Sequence, residues 1–188
     1  VANGDEVSWL IATNVFENQG FSKERVETRQ KEIKTVAEKF GFKNTYLLDY
    51  PTMTLSSSTL LTLVPKISTI FSELQPEIIY TLNRSDAHSD HRILFDSVMA
   101  ATKSFRHPYI KQVLMYECIS ETEFAPALPE KVFQPNYFVD ISAYFEKKIA
   151  IAKIYESEFG AHPFPRSLRN LEALATFRGA YVGVEYAE

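Results

Sequence analysis

Between Asn83 and Arg92 the chain runs Asn83-Arg84-Ser85-Asp86-Ala87-His88-Ser89-Asp90-His91-Arg92, and no other stretch gathers titratable groups so tightly. Two of the four histidines lie here, interleaved with two aspartates. A neutral imidazole can bind a metal through one nitrogen, while a second imidazole nearby acts as an acid or an electrostatic partner. Counting about 100° per residue along a helix, His91 shares a face with Leu94, Phe95, Val98 and Thr102 and so points inward. His88 precedes that helix and approaches from the loop. The competing reading is a buried His91 tied to a backbone carbonyl beside an exposed His88. Two histidines at this spacing with flanking aspartates favour a site, with Asp86 and Asp90 as acceptors that orient the rings.

The elements around the loop agree with that placement. Glu77–Leu82 is an apolar run that reads as a buried strand, and Ile93–Lys103 reads as a helix capped by Ser89 or Asp90. A strand, a polar loop and a helix start set the loop at the carboxyl edge of a sheet, where open α/β folds bind ligands. Elsewhere Val7–Thr13 reads as a strand, Lys23–Phe40 as a helix stopped by Gly41, and Thr45–Leu48 as a short strand. Ser58–Leu74 is a helix, Gln112–Glu117 a strand, Asn136–Ile141 a shorter strand, and Ser142–Ser157 and Leu168–Arg178 helices. Pro126–Pro135 is the most loop-like stretch. This alternation predicts a single α/β Rossmann-like domain over residues 1–188, with a mainly parallel sheet flanked by helices.

Composition narrows the class. With 188 residues, 45% hydrophobic and 13% aromatic, the chain can bury one core and is neither disordered nor fibrous. The net charge of −4, without a long basic run, argues against nucleic acid as the main partner. Apolar runs are too short to span a bilayer. Cys118 is the only cysteine, so neither an intrachain disulfide nor a cysteine zinc cluster can form, which is compatible with a cytoplasmic setting. No Gly-x-Ser-x-Gly elbow and no Gly-x-Gly-x-x-Gly loop is present, which removes the serine hydrolases and dinucleotide binders.

Three further residues could contact a ligand. Arg29 shares an inward helix face with Ile33, Val36 and Phe40, and a charge there needs a partner. Its guanidinium could fork onto substrate oxygens or pair with Glu32 or another carboxylate, and the sequence leaves both open. His162 and Arg166 lie in a stiff His-Pro-Phe-Pro-Arg turn that could close over a sugar or simply join two helices. Glu117 and Arg178 are weaker candidates, the latter more in keeping with a structural role.

His88-Ser89-Asp90-His91-Arg92 resembles the second signature of the PIG-L/LmbE-type metal-dependent N-deacetylases, a His-Pro-Asp-His-type loop, with serine in place of proline. The resemblance continues in Arg29-Gln-Lys-Glu32 with Ala37 and Phe40-Gly41. It returns in Glu158–Ser167, in Arg178-Gly179 and in Gly183–Glu188. It implies that His91 is a ligand to Zn2+ or another divalent metal, and that His88 stabilises an oxyanion or assists the leaving amine. It also implies that Arg29 contacts a small-molecule N-acetylated sugar, whose acetyl group is removed, while the stiff turn offers His162 and Arg166 as further contacts. The family's first signature, His-Pro-Asp-Asp-Glu, is absent, and the chain opens on Val1 in a stretch that in the family follows the first strand, its metal loop and the first helix. The expectation is therefore a chain lacking its first strand, which the family places inside the sheet. An additional segment would fill that position and bring the other ligands and the general base. A non-catalytic domain that binds a sugar or partner is the alternative, and a homo-oligomer is left open.

Overall fold

The computed structural model describes residues 4–188 as four strands and five α-helices joined by short 3-10 turns. Strand β1 (Ser8–Asn14) is followed by helix α1 (Lys23–Phe40), strand β2 (Asn44–Pro51), helix α2 (Leu60–Leu74) and strand β3 (Ile78–Leu82). Helix α3 (Ser89–Ala101), strand β4 (Gln112–Tyr116), helix α4 (Phe145–Ala152) and helix α5 (Leu168–Val182) complete the order. The fold is mixed α/β, with short parallel strand pairs flanked by helices. None of the described helices is long and apolar enough to cross a membrane.

The strands form two pairs, β1 with β2 and β3 with β4, and no described strand joins the pairs. Ile78 to Leu82 run alongside Gln112 to Tyr116 in parallel register. In the first pair the Lys43 amide donates to the Val7 carbonyl and the Thr52 amide to the Asn14 carbonyl, so these strands also run the same way. Asn136–Ile141, expected as a strand, is not one. Its only ladder contact is an isolated antiparallel bridge from Asp140 to Ala187. β2 runs to Pro51, beyond the Leu48 end expected.

The described residues pack as two compact units, one of 4–10, Val15–Tyr46 and Gln134–Glu188, the other of Ile11–Asn14 and Leu47–Phe133. In the first, α1 begins where the Ser22 hydroxyl accepts the Arg25 amide at 3.2 Å. It stops where Gly41 adopts φ 77°, a left-handed turn that glycine enters without a side-chain clash. Its buried face carries Glu32, Ile33 and Val36. Ile141, Phe145 and Ala175 form a buried cluster with Ile149 and Tyr186 against it. Gly179 is required by close approach, because a Cβ there would stand 2.6 Å from the carbonyl oxygens of Val184 and Glu185.

The second unit is centred on the packing of α2 on α3 and of α3 on β3. Leu63, Ile67, Ile70 and Phe71 of α2 are buried with Val98 and Ala101 of α3 and Ile79 of β3. These residues recur at the three- and four-residue spacing that puts one helix face on a core. His107 is also buried here. Its Nε2 lies 2.9 Å from Ser68 Oγ and its Nδ1 2.6 Å from the Tyr109 hydroxyl, which donates to the Phe71 carbonyl. Leu63 has no solvent exposure, so Leu63→Ala should cost about 2–5 kcal/mol in urea denaturation, while Leu63→Met costs less than about 1.5 kcal/mol. A loss for Leu63→Ala within the roughly 0.5 kcal/mol of a surface change would remove α2 from the core.

Candidate functional site

The loop from Asn83 to His88 crosses from the end of β3 to the first turn of α3, and its geometry is set by one carboxylate. Asp86 is fully buried. Its Oδ2 lies 2.9 Å from His91 Nδ1, and its Oδ1 accepts from Asn83 Nδ2 at 3.2 Å and from Thr122 Oγ1 at 2.8 Å. Arg92 fixes the same loop from outside, donating to the carbonyls of Asp86 and Ala87. The Ala87 amide donates to the Glu121 carbonyl. A buried carboxylate with three donors and a braced backbone has little freedom to move.

The partners assign the tautomers of the two histidines. An ionised carboxylate only accepts, so the His91 Nδ1 facing Asp86 carries the proton and the neutral ring keeps its lone pair on Nε2. His88 is the opposite case. It is the residue that caps α3, in place of the Ser89 or Asp90 expected, and its Nδ1 accepts the Asp90 amide at 3.1 Å. A neutral His88 therefore carries its proton on Nε2. The rings stack with centroids 4.9 Å apart and planes 22° from parallel. One imidazole offers a hydrogen-bond donor and its neighbour offers a basic nitrogen.

Asp90 does not orient either ring through its side chain. Its carboxylate accepts the Met53 amide at 2.7 Å and the Leu55 amide at 3.0 Å. Asn83 and Thr122 were not singled out in the sequence. Asn83 ends a strand and is indistinguishable there from a turn residue, and Thr122 reaches Asp86 across 36 positions.

Residues 1–102 match the family model described as PIG-L: GlcNAc-PI de-N-acetylase, more than half of the chain. The chain belongs to the PIG-L family. No curated protein sequence gives a significant match. Among solved structures, a conserved protein from Thermus thermophilus superposes with a TM-score of 0.77 at 21% identity, covering 100% of this chain and 81% of its own. The N,N'-diacetylchitobiose deacetylase of Pyrococcus horikoshii gives 0.76 at 22% identity, covering 100% and 72%. The 4-carboxy-2-hydroxymuconate hydratase of Pseudomonas putida gives 0.61 at 15% identity, covering 96% and 93%. The PIG-L fold thus extends over the whole chain, beyond the segment matched by the family model.

His91 fits one position of a metal site, with its Nδ1 held by a carboxylate and Nε2 as the ligating atom. A complete set does not follow. Among the described residues no three histidine, cysteine, aspartate or glutamate side chains are grouped to hold a metal ion.

The other candidates of this PIG-L chain lie in the first unit. Arg29 makes an ion pair with Glu158, which is also bound by Arg25 at 3.0 Å, and its Nε lies 3.2 Å from Glu32. Arg166 donates from Nε to the Glu158 carbonyl at 2.9 Å, with Nη2 3.4 Å from the carboxylate. His162 is exposed. Arg29 thus has the ion-pair partners that the sequence left open, including one 129 residues away. Its guanidinium also lies over the Tyr155 ring, 5.2 Å from the centroid. Burial, opposed by Arg29 and reinforced by Glu32 and Glu158, pushes the Tyr155 hydroxyl up to about 12.

For Glu158, burial alone would raise the carboxyl, but the Arg29 hydrogen bond and charge, with Arg166 and Arg25, outweigh it and hold the group below its ordinary value of 4.5. A depressed carboxylate stabilises the folded state above the unfolded value and loses that contribution as pH falls through the folded one. Thermal unfolding midpoints should therefore drop below about pH 4.5 more steeply in the wild type than in Glu158→Gln. Parallel pH profiles for the two proteins would show that the arginines do not stabilise the ionised form.

Proposed function

We propose that this PIG-L chain acts in the hydrolysis of an N-acetylated amino sugar, releasing acetate and a free amine, with His91 as one ligand to zinc or another divalent metal and His88 as the group that meets the reacting oxygen or the leaving nitrogen. The observation that carries the reading is the stacked His88–His91 pair with opposite tautomers, one ring locked by Asp86. The family description and the similarity to a diacetylchitobiose deacetylase support the same reaction. A hydratase shares the fold, so fold alone does not select the chemistry, and it is the histidine loop with the family match that supports the hydrolase reading.

Amide hydrolysis passes through a tetrahedral intermediate with negative charge on the former carbonyl oxygen. A neutral Nε2–H on His88 is a hydrogen-bond donor suited to that charge. Asp86 keeps the His91 lone pair outward by holding the other nitrogen, and supports positive character on the ring. A bound zinc would polarise the acyl carbonyl and lower the pKa of a water. Because the described residues supply one ligand position and not a full set, no proton transfer is assigned. The proposal keeps Arg29 as a substrate contact on the strength of the family resemblance and of the guanidinium's fork geometry, and Arg166 and His162 on the strength of their place in a stiff turn.

The deciding measurement, made on the full-length protein, is acetate release from N-acetylglucosamine and N,N'-diacetylchitobiose, with metal content by mass spectrometry. His91→Ala should lose bound metal and turnover together. His88→Ala should keep its metal and lose about 10²–10³-fold in kcat. Equal metal loss in both variants would erase this division of roles. Arg29→Lys retains the charge facing Glu158 and Glu32 but loses the planar fork, so KM should rise about tenfold, equivalent to roughly 1.4 kcal/mol. An unchanged KM would leave Arg29 with its ion pairs alone.

A further inference from the structure

The carboxylate of Asp90 is buried, yet it touches neither histidine ring. Both oxygens are directed at the backbone of the loop that follows β2, one at the Met53 amide and one at the Leu55 amide. The same loop is tied at its start, where the Thr52 amide donates to the Asn14 carbonyl at 2.9 Å and Asp49 accepts from Asn14 Nδ2 at 3.3 Å. Within it, Met53 has φ 62°, a left-handed conformation that a long side chain adopts only when its surroundings impose it. The Met53 side chain is nevertheless 77% exposed, so no burial of its own explains that conformation. Its amide is the group that the Asp90 carboxylate holds.

Asp90 sits between His88 and His91 in the chain, and its own amide caps onto His88 Nδ1. The clamped loop is therefore held against the first turn of α3, the turn that carries both rings. We propose that Asp90 is a positioning residue whose carboxylate clamps the Thr52–Leu55 loop to that turn and thereby sets the Met53 side chain as a substrate contact beside His88 and His91. An apolar, flexible thioether at this position suits the apolar part of a substrate, such as an acyl methyl or the carbon face of a sugar ring. This inference depends on the hydrolase reading for its substrate and on the hydrogen bonds alone for its clamp.

Amide hydrogen exchange in Asp90→Asn tests the clamp without reference to activity. Loss of the carboxylate should speed exchange at Met53 and Leu55 by about tenfold, with α2 and β3 unchanged. Unchanged exchange at both amides would overturn the clamp, and a global increase would show that Asp90 supports the whole unit instead. Kinetics then test the contact with N-acetylglucosamine as probe. Met53→Ala, which leaves the Asp90 bonds in place, should raise KM several-fold with kcat retained. Asp90→Asn should raise it likewise, and the double variant should be no worse than the poorer single one. Additive effects on KM, or no effect of Met53→Ala, would overturn the contact. A wild-type protein that releases no acetate would instead overturn the hydrolase reading, with the exchange data still deciding the clamp.

Discussion

A fully buried carboxylate must be satisfied on every side, and the arrangement around Asp86 follows from that constraint. Removing such a group from water costs several kcal/mol unless donors replace the lost hydration. Here the donors come from three different places: Asn83 at the end of β3, Thr122 beyond β4, and His91 on the first turn of α3. Each would be an ordinary polar residue by itself. Joined at Asp86 they fix a strand end, a distant loop and a helix start to one point, and the imidazole inherits that rigidity. Losing one partner of a buried charged pair typically costs about 3–5 kcal/mol, so ring orientation and the stability of this loop cannot be separated.

The opposite tautomers of His88 and His91 come from the same kind of local accounting. A helix start has backbone amides without carbonyl partners, and something must accept from them. Here the acceptor for the Asp90 amide is the His88 imidazole, which commits its Nδ1 lone pair and leaves the proton on Nε2. Because the cap is a ring nitrogen, the Asp90 side chain is released from the capping role its position suggests. Its carboxylate turns to the loop after β2, where two amides need acceptors. One substitution in the usual pattern of caps thus accounts for both the chemistry His88 can offer and the anchoring of a loop well upstream in the chain.

Much of the fold was legible in the sequence. Helix α1 begins at Lys23 and ends at Phe40 as read, because Ser22 and Gly41 are strong local signals whose meaning does not depend on distant contacts. β3, the polar loop and α3 were visible for the same reason. The failures are non-local. Asn136–Ile141 has the Tyr-Phe-Val run of a strand but finds only one bridging partner, at Ala187. The cap on α3 was assigned by the usual preference for serine and aspartate, which says nothing about a histidine already turned toward the amide. Thr122 on Asp86 and Glu158 on Arg29 are invisible to any local pattern, since each pair is created by packing. The inward face of Arg29 announced the need for a partner without naming it.

The relation between fold and reaction turns on how few atoms do the chemistry. A deacetylase and a hydratase both superpose on this chain, so the strand pairs and helices determine where a polar loop can stand without determining what it does. A hydration and an amide hydrolysis both add water, but only the second must deliver a proton to a departing nitrogen. A neutral imidazole with its Nε2–H outward does not make that transfer, and instead donates a hydrogen bond to an oxygen that gathers negative charge. The Asp90 amide donates to Nδ1, and so holds His88 in the tautomer that presents this hydrogen bond.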